Sequence, residues 1–340
     1  MIRRRKLCNQ ATFEIEQAIS DSFGAWTGVK GTTFNTVAYP GLIAPLARVS
    51  NANSCTNDAE SNVDGIDTVC FNQSSMGFTS GVLAFTRVIT AAASGVTVGS
   101  SPPATFAGQI LDSDTLLRND GQATFATPGA LGTAQGQGAY DLESILAHEL
   151  GHWFGLTHSA VWRALMFPFW PPPGQFLGVW PTAQAPDGPL ADDDRTEIRV
   201  LYPDPNDAVN VGTIQGKILP AAPFALAERP SPDPGSAVRG IFVAHVVAVD
   251  AATGSVIAGT IGGWSCNAAN PPTQFDGTFT LERLPVGHSY QIYAEPIIGI
   301  VGPGDFSGAL DDLCSTTAGP TCTTPNVNTS FNVRICPPGP

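Results

Sequence analysis

Residues 148–158 read HELGHWFGLTH and hold three of the chain's five histidines. His148, Glu149, His152, Gly155 and His158 stand at the fixed positions of the pattern His-Glu-x-x-His-x-x-Gly-x-x-His. A helix turns about 100° per residue, so His148 and His152 share one face roughly 6 Å apart, which suits two imidazoles converging on one zinc ion. The preceding residues predict that helix. Asp141 offers an N-cap, and Leu142, Ile145 and Leu146 give the i, i+3, i+4 apolar face. Gly155 can adopt the left-handed conformation that ends a helix, and the turn brings His158 back as a third ligand. Three protein ligands leave a fourth coordination position for water, the arrangement of a catalytic rather than a structural site.

The expected chemistry follows from that set. Zinc lowers the pKa of a bound water from about 15.7 towards 7 and polarises a carbonyl as a Lewis acid. Glu149, adjacent to the first ligand, lies beside the metal without binding it. It can take the proton of the attacking water and pass it to a leaving amine. The predicted reaction is peptide-bond hydrolysis without a covalent enzyme intermediate.

Further segments carry a resemblance. Ser159 directly follows the third histidine, ALMFPFW spans 164–170, and LADDDRTEIRVLY spans 190–202. Together with the long motif these resemble the matrixin branch of the metzincin zinc peptidases. Met166 then corresponds to the methionine of the Met-turn, supporting the zinc site together with Gly155. Pro168, Phe169 and Trp170 correspond to a wall of the pocket beside the scissile bond. Phe167 and Trp170 stand where the family has tyrosines. Upstream, AISDSFGAWTGV at 18–29 resembles the family's first helix, with Ala18, Phe23 and Trp26 on one face. GVLAFTRVI at 81–89 falls where the family has its edge strand, and ILDSDTLLR at 110–118 where it has the next. An exposed edge is a template for an extended peptide, so Leu83, Ala84 and Phe85 are the expected substrate-binding strand. Read from residues alone, 81–89 is an ordinary central strand. No histidine precedes His148, so the histidine-bound structural zinc of animal matrixins is expected to be absent. The Pro- and Gly-rich loop at 171–189 would flank the cleft.

The chain has 340 residues, 43% hydrophobic and 13% charged, a composition for two domains with cores and not for disorder. Its formal charge of −13 argues against nucleic acid as a partner and mildly favours basic substrates or calcium. Asp64, Asp67, Asp112 and Asp114, read as polar-loop residues, are calcium candidates, with solvated turns as the simpler account. No apolar run of about 18 residues spans a membrane. Cysteines stand at 8, 55, 70, 266, 314, 322 and 336 without zinc-type pairing. Cys55 and Cys70 flank a loop they could bridge. Bridges in the C-terminal region would imply an oxidising compartment, so a secreted, monomeric protein is expected. MIRRRK resembles the start of a signal peptide, but the residues after it lack the apolar region one requires. The family's first strand and prosegment have no counterpart, which suggests a mis-called start or a fragment.

YPDPNDAVN at 202–210 reads as a linker. Beyond it TIQGKIL, GIFVAHVVAVD, SVIAGTI, GTFTLERL and SYQIYAE are β-rich runs, with AATG at 251–254 and FDG at 275–277 as turns between them. Gly216, the run Val247–Asp250, Asp276-Gly277 and Tyr290 resemble the carboxypeptidase-regulatory-like or transthyretin-like modules of secreted proteins. The predicted architecture is therefore α+β. A metzincin domain over 1–205, with a mixed sheet, an active-site helix and a C-terminal helix, precedes an antiparallel all-β sandwich over 211–340. His245 and His288, isolated in sequence, read as structural. The expected activity is that of a secreted zinc metalloendopeptidase with Glu149 as base. The alternative is a surface adhesion or binding protein whose metalloprotease-like domain is silent.

Overall fold

The computed structural model describes residues 10–35, 65, 67–73, 78, 81–99, 102–118, 120–131, 138–175, 188–218, 244–262, 265–266, 273–274, 277–295, 326–329 and 332–335. MIRRRK, Cys8, Cys55, Asp64, most of the 171–189 loop, and Cys314, Cys322 and Cys336 lie outside these residues. The described residues fall into two compact units. The first gathers those up to Gly28, those from 65 to Gly155, and those of the 171–189 loop. The second gathers Val29–Asn35, Leu156–Trp170 and everything described from Leu190 onward. The boundary expected at 205–211 falls inside the second unit.

In the first unit, helix α1 (Gln10–Thr27) begins eight residues before the expected segment. Ala11, Glu14, Glu16 and Gln17 are good helix formers that extend it backwards. Ala18, Ser22, Ala25 and Trp26 form its buried stripe. Strands β1 (Thr68–Gln73), β2 (Ala84–Thr90) and β3 (Ile110–Arg118) form a mixed sheet in the order β1-β3-β2. β3 pairs in parallel with β1 and antiparallel with β2, so β2 lies at the edge of the described sheet. Central β3 is buried along nearly its whole length, which is why ILDSDTLLR shows no clean apolar alternation. Cys70 on β1 is buried and disulfide-bonded. The short strands β4 (Phe125–Ala126) and β5 (Tyr140–Asp141) pair in parallel around a single helical turn, α2 (Pro128–Leu131).

Helix α3 (Leu142–Trp153) carries the histidine motif. Asp141 caps it by accepting a hydrogen bond from Ser144 N at 2.8 Å. Leu142, Ile145 and Leu146 are buried, as the spacing predicts, and so is Leu150. Trp26, fully buried, donates from Nε1 to the Ala147 carbonyl at 2.7 Å, and Phe23 meets Trp153 edge-on at 5.3 Å. The indole therefore fixes α1 against the residue just before His148.

In the second unit, helix α4 (Asp192–Leu201) follows Leu190. Within residues 202–210, read as a linker from composition, there is local structure. Asp204 accepts from Asn206 N at 2.9 Å and caps a 3-10 helix, Pro205–Asn210, whose proline stands at its start. Strand β6 (Val211–Lys217) continues directly from it. β7 (Ala244–Asp250), β8 (Val256–Gly262), β11 (Thr278–Pro285) and β12 (Tyr290–Glu295) match the β-rich runs. Short β9 (Ser265–Cys266) pairs with β10 (Thr273–Gln274), and β13 (Asn326–Thr329) with β14 (Asn332–Ile335). The main sheets are antiparallel, in the orders β12-β7-β8 and β11-β6. The turn expected at 251–254 is present: Asp250 accepts from Ala252 N and Thr253 N, and Gly254 has positive φ; of the turn expected at 275–277 only Gly277, also of positive φ, is among the described residues.

β7 explains why GIFVAHVVAVD reads as almost continuously apolar. Val246 and Ala248 point to one face and pack with Ala258, Leu281 and Leu284 between the two sheets. Val247 and Val249 point to the other and pack with Val161 and Ala164, which follow the histidine motif in the sequence. A strand covered on both faces needs apolar residues at odd and even positions alike. Among the described residues, no helix is long and apolar enough to cross a membrane.

Candidate metal centre

The His148 and His152 rings stand on consecutive turns of α3, with centroids 5.0 Å apart and planes at 86°. After the helix, Gly155 N donates to His152 O at 2.8 Å, and Gly155 adopts φ +90°, the left-handed turn its position predicts. One nitrogen from each of His148, His152 and His158 lies within 4.8 Å of the others. His148 is buried, and the other two rings are half-buried. Three imidazoles converging from one helix and the loop after it are a donor set suited to zinc.

Glu149, 5% exposed, points its carboxyl towards β2, where Thr86 Oγ1 donates to Oε2 at 2.7 Å. Thr86 Oγ1 also lies 2.7 Å from Thr115 Oγ1 on β3. Burial raises the Glu149 pKa to about 7, against the opposing pull of the Thr86 hydroxyl. Sequence reading stopped at Leu83–Phe85 and missed Thr86. The available signal was period two: Ala84 and Thr86 share a face of β2, opposite to that of Phe85. Phe85 packs instead towards Phe78, Cys70 and Leu116. Leu83 precedes the strand, and its carbonyl accepts from Arg118 N at 2.9 Å. Thr86→Val keeps the shape but removes the donor to a charged acceptor, an interaction of about 1.5–3 kcal/mol. In a peptide-hydrolysis assay kcat should fall roughly tenfold or more, with KM and zinc content little changed.

Met166 is buried, and its carbonyl accepts from Ser159 N at 2.7 Å. Two adjacent carboxylates of α4 secure this turn. Asp194 accepts from Leu165 N, Met166 N and Ala191 N at 2.8, 3.0 and 2.7 Å. Burial raises its pKa to about 6, while these three donors pull the other way. Asp193 accepts from Ser159 Oγ at 2.7 Å. These hydrogen bonds give a local reason for serine after His158 and for the paired aspartates. Phe167 is fully buried, edge-on to Trp162 and Phe169 at 5.1 and 5.6 Å. Pro168, Phe169 and Trp170 are half-buried.

Two of the four calcium candidates are placed differently from expectation. Asp112 and Asp114 are not in a polar loop but buried on β3, with Arg87 Nη2 at 3.9 and 3.5 Å across the strand pair. A guanidinium already supplies positive charge there. Asp67 is exposed.

The matrixin family model matches residues 4–203. Metalloendoproteinase 1 of Glycine max is 42% identical over 64 residues, which cover 19% of this chain and 17% of that protein. The chain therefore spans under a fifth of that relative's length. No solved structure matches. The matched region takes in the histidine triad, Glu149, the turn at Met166 and all of α4; the chain belongs to the matrixin family.

Proposed function

We propose that the protein is a secreted zinc metalloendopeptidase. The observation that carries this reading is the convergence of His148, His152 and His158, with Glu149 next to the first of them. The three imidazoles would hold one zinc ion. When bound, zinc supplies Lewis acidity towards a carbonyl and acidifies water. Glu149 would take a proton at its carboxylate and return it to the leaving amine. Thr86 orients that carboxylate, and Gly155 and the turn at Met166 hold the loop that returns His158. Ala84 and the backbone around Leu83 and Phe85, at the sheet edge, would align an extended peptide by strand addition. Pro168, Phe169 and Trp170 would shape the pocket beside the cleaved bond. The net charge of −13 supports a protein or peptide partner over nucleic acid. We assign residues 1–205 to the peptidase domain and 211–340 to a carboxypeptidase-regulatory-like module, in a monomer.

Metal analysis of fresh protein, with cleavage-site profiling on a proteome-derived peptide library with and without a zinc chelator, tests this. The expected result is one zinc per chain and chelator-sensitive cleavage. Bound zinc without turnover of any peptide would instead make the chain an adhesion or binding protein with a silent site.

A further inference from the structure

Asp193, fully buried in the first turn of α4, has both carboxylate oxygens engaged. Oδ2 accepts from Ser159 Oγ at 2.7 Å, and Oδ1 accepts from Gly259 N on β8 at 2.8 Å. Ser159 is the residue after the third histidine. Its hydroxyl also accepts from Val161 N at 3.0 Å, and its own N–H goes to Met166 O. One carboxylate thus joins the loop behind His158 to the C-terminal sheet. The contact around it is apolar and close. Val161 and Ala164 pack on Val247 and Val249, and Thr196 Oγ1 lies 2.9 Å from Ile257 O. Only glycine fits at 259. A Cβ there would lie 2.6 Å from Val161 Cγ2 and 2.8 Å from His245 Nε2.

We propose that Asp193 is a positioning residue for the zinc site, and that β8 completes it through Gly259, so that the C-terminal sheet sets how firmly the His158 loop is held. The inference rests on the zinc reading above. It extends that reading by giving the C-terminal strands a part in metal binding. Mutating the outer-shell groups that orient a metal ligand typically costs 10–100-fold in metal affinity, and Asp193 would act on His158 in this way through the backbone of the adjoining Ser159.

The test is competition for zinc with a chromophoric chelator on the full chain, alongside thermal melts of the metal-free protein. Wild type should bind one zinc. Gly259→Ala, which drives a methyl into Val161, should raise the zinc Kd by about 10–100-fold. Adding Val161→Ala, which removes the nearer clash, should recover part of that loss. Asp193→Asn keeps the shape and the acceptor for Gly259 N but places an amide N–H against Ser159 Oγ. It should weaken zinc binding even if Gly259→Ala fails to fold. A role confined to stability lowers the melting temperature and leaves the Kd of the folded variants at the wild-type value; that result overturns the inference and leaves the zinc reading intact. Wild type with no zinc affinity overturns both.

Discussion

Glu149→Gln is expected to retain zinc and to lose about 10²–10⁴-fold in kcat on a peptide substrate. The substitution preserves shape and the acceptor oxygen that meets Thr86 Oγ1 at 2.7 Å. It removes only the ability to take a proton. The fold should accept the change, because the site is buried and desolvation already opposes the ionised carboxyl, whose pKa is raised to about 7. Ala would also empty a buried volume and remove the side-chain acceptor of the Thr86 hydroxyl, which keeps Thr115 Oγ1 and the Glu149 carbonyl, so Gln gives the cleaner comparison. Metal content, a thermal melt and kcat/KM on the same preparation check the prediction. A Gln variant with more than a tenth of wild-type turnover would remove Glu149 from the mechanism. Loss of zinc in that variant would mean that the carboxyl serves the metal site and not the proton transfer.

The features legible in the sequence were local ones. The face shared by His148 and His152, the cap at Asp141 and the turn at Gly155 each depend on residues within a few positions of one another, where helix geometry is nearly fixed. The five main strands of the second half were legible for the same reason, since β-rich runs bounded by turn residues announce themselves. What escaped the reading depends on distant partners. Thr86 meets Glu149 across 63 positions, and Gly259 meets Asp193 across 66. No spacing rule reaches that far. Asp112 and Asp114 read as loop acids because their partner, Arg87, lies on another strand. In the stretch 202–210 composition leaves the local structure open. Pro, Asp and Asn suit a linker and a capped 3-10 turn equally well, and the carbonyl of Asn210, which accepts from Val286 N, decides for the latter.

A chain ended at Pro205 should neither fold cooperatively nor hold zinc. Composition alone treats the C-terminal strands as a module hung on a linker, and a detachable module predicts an active truncated enzyme. The packing argues otherwise. Truncation uncovers Val161 and Ala164, which lose Val247 and Val249, at roughly 1.5–3 kcal/mol for each large apolar side chain re-exposed. It also takes the Gly259 donor from Asp193 and one of two acceptors, Ile257 O, from Thr196, whose hydroxyl keeps Asp192 O, and each hydrogen bond lost is worth about 0.5–1.5 kcal/mol, more when charged. Together these losses are of the same order as the roughly 5–15 kcal/mol that holds a typical domain folded. The damage also falls on the segment that carries Ser159 and Met166, directly behind the third histidine. A shallow, non-cooperative melt together with zinc absent after dialysis is the expected result. A truncated chain that melts sharply and retains one zinc would show that the peptidase domain is complete without its C-terminal sheets.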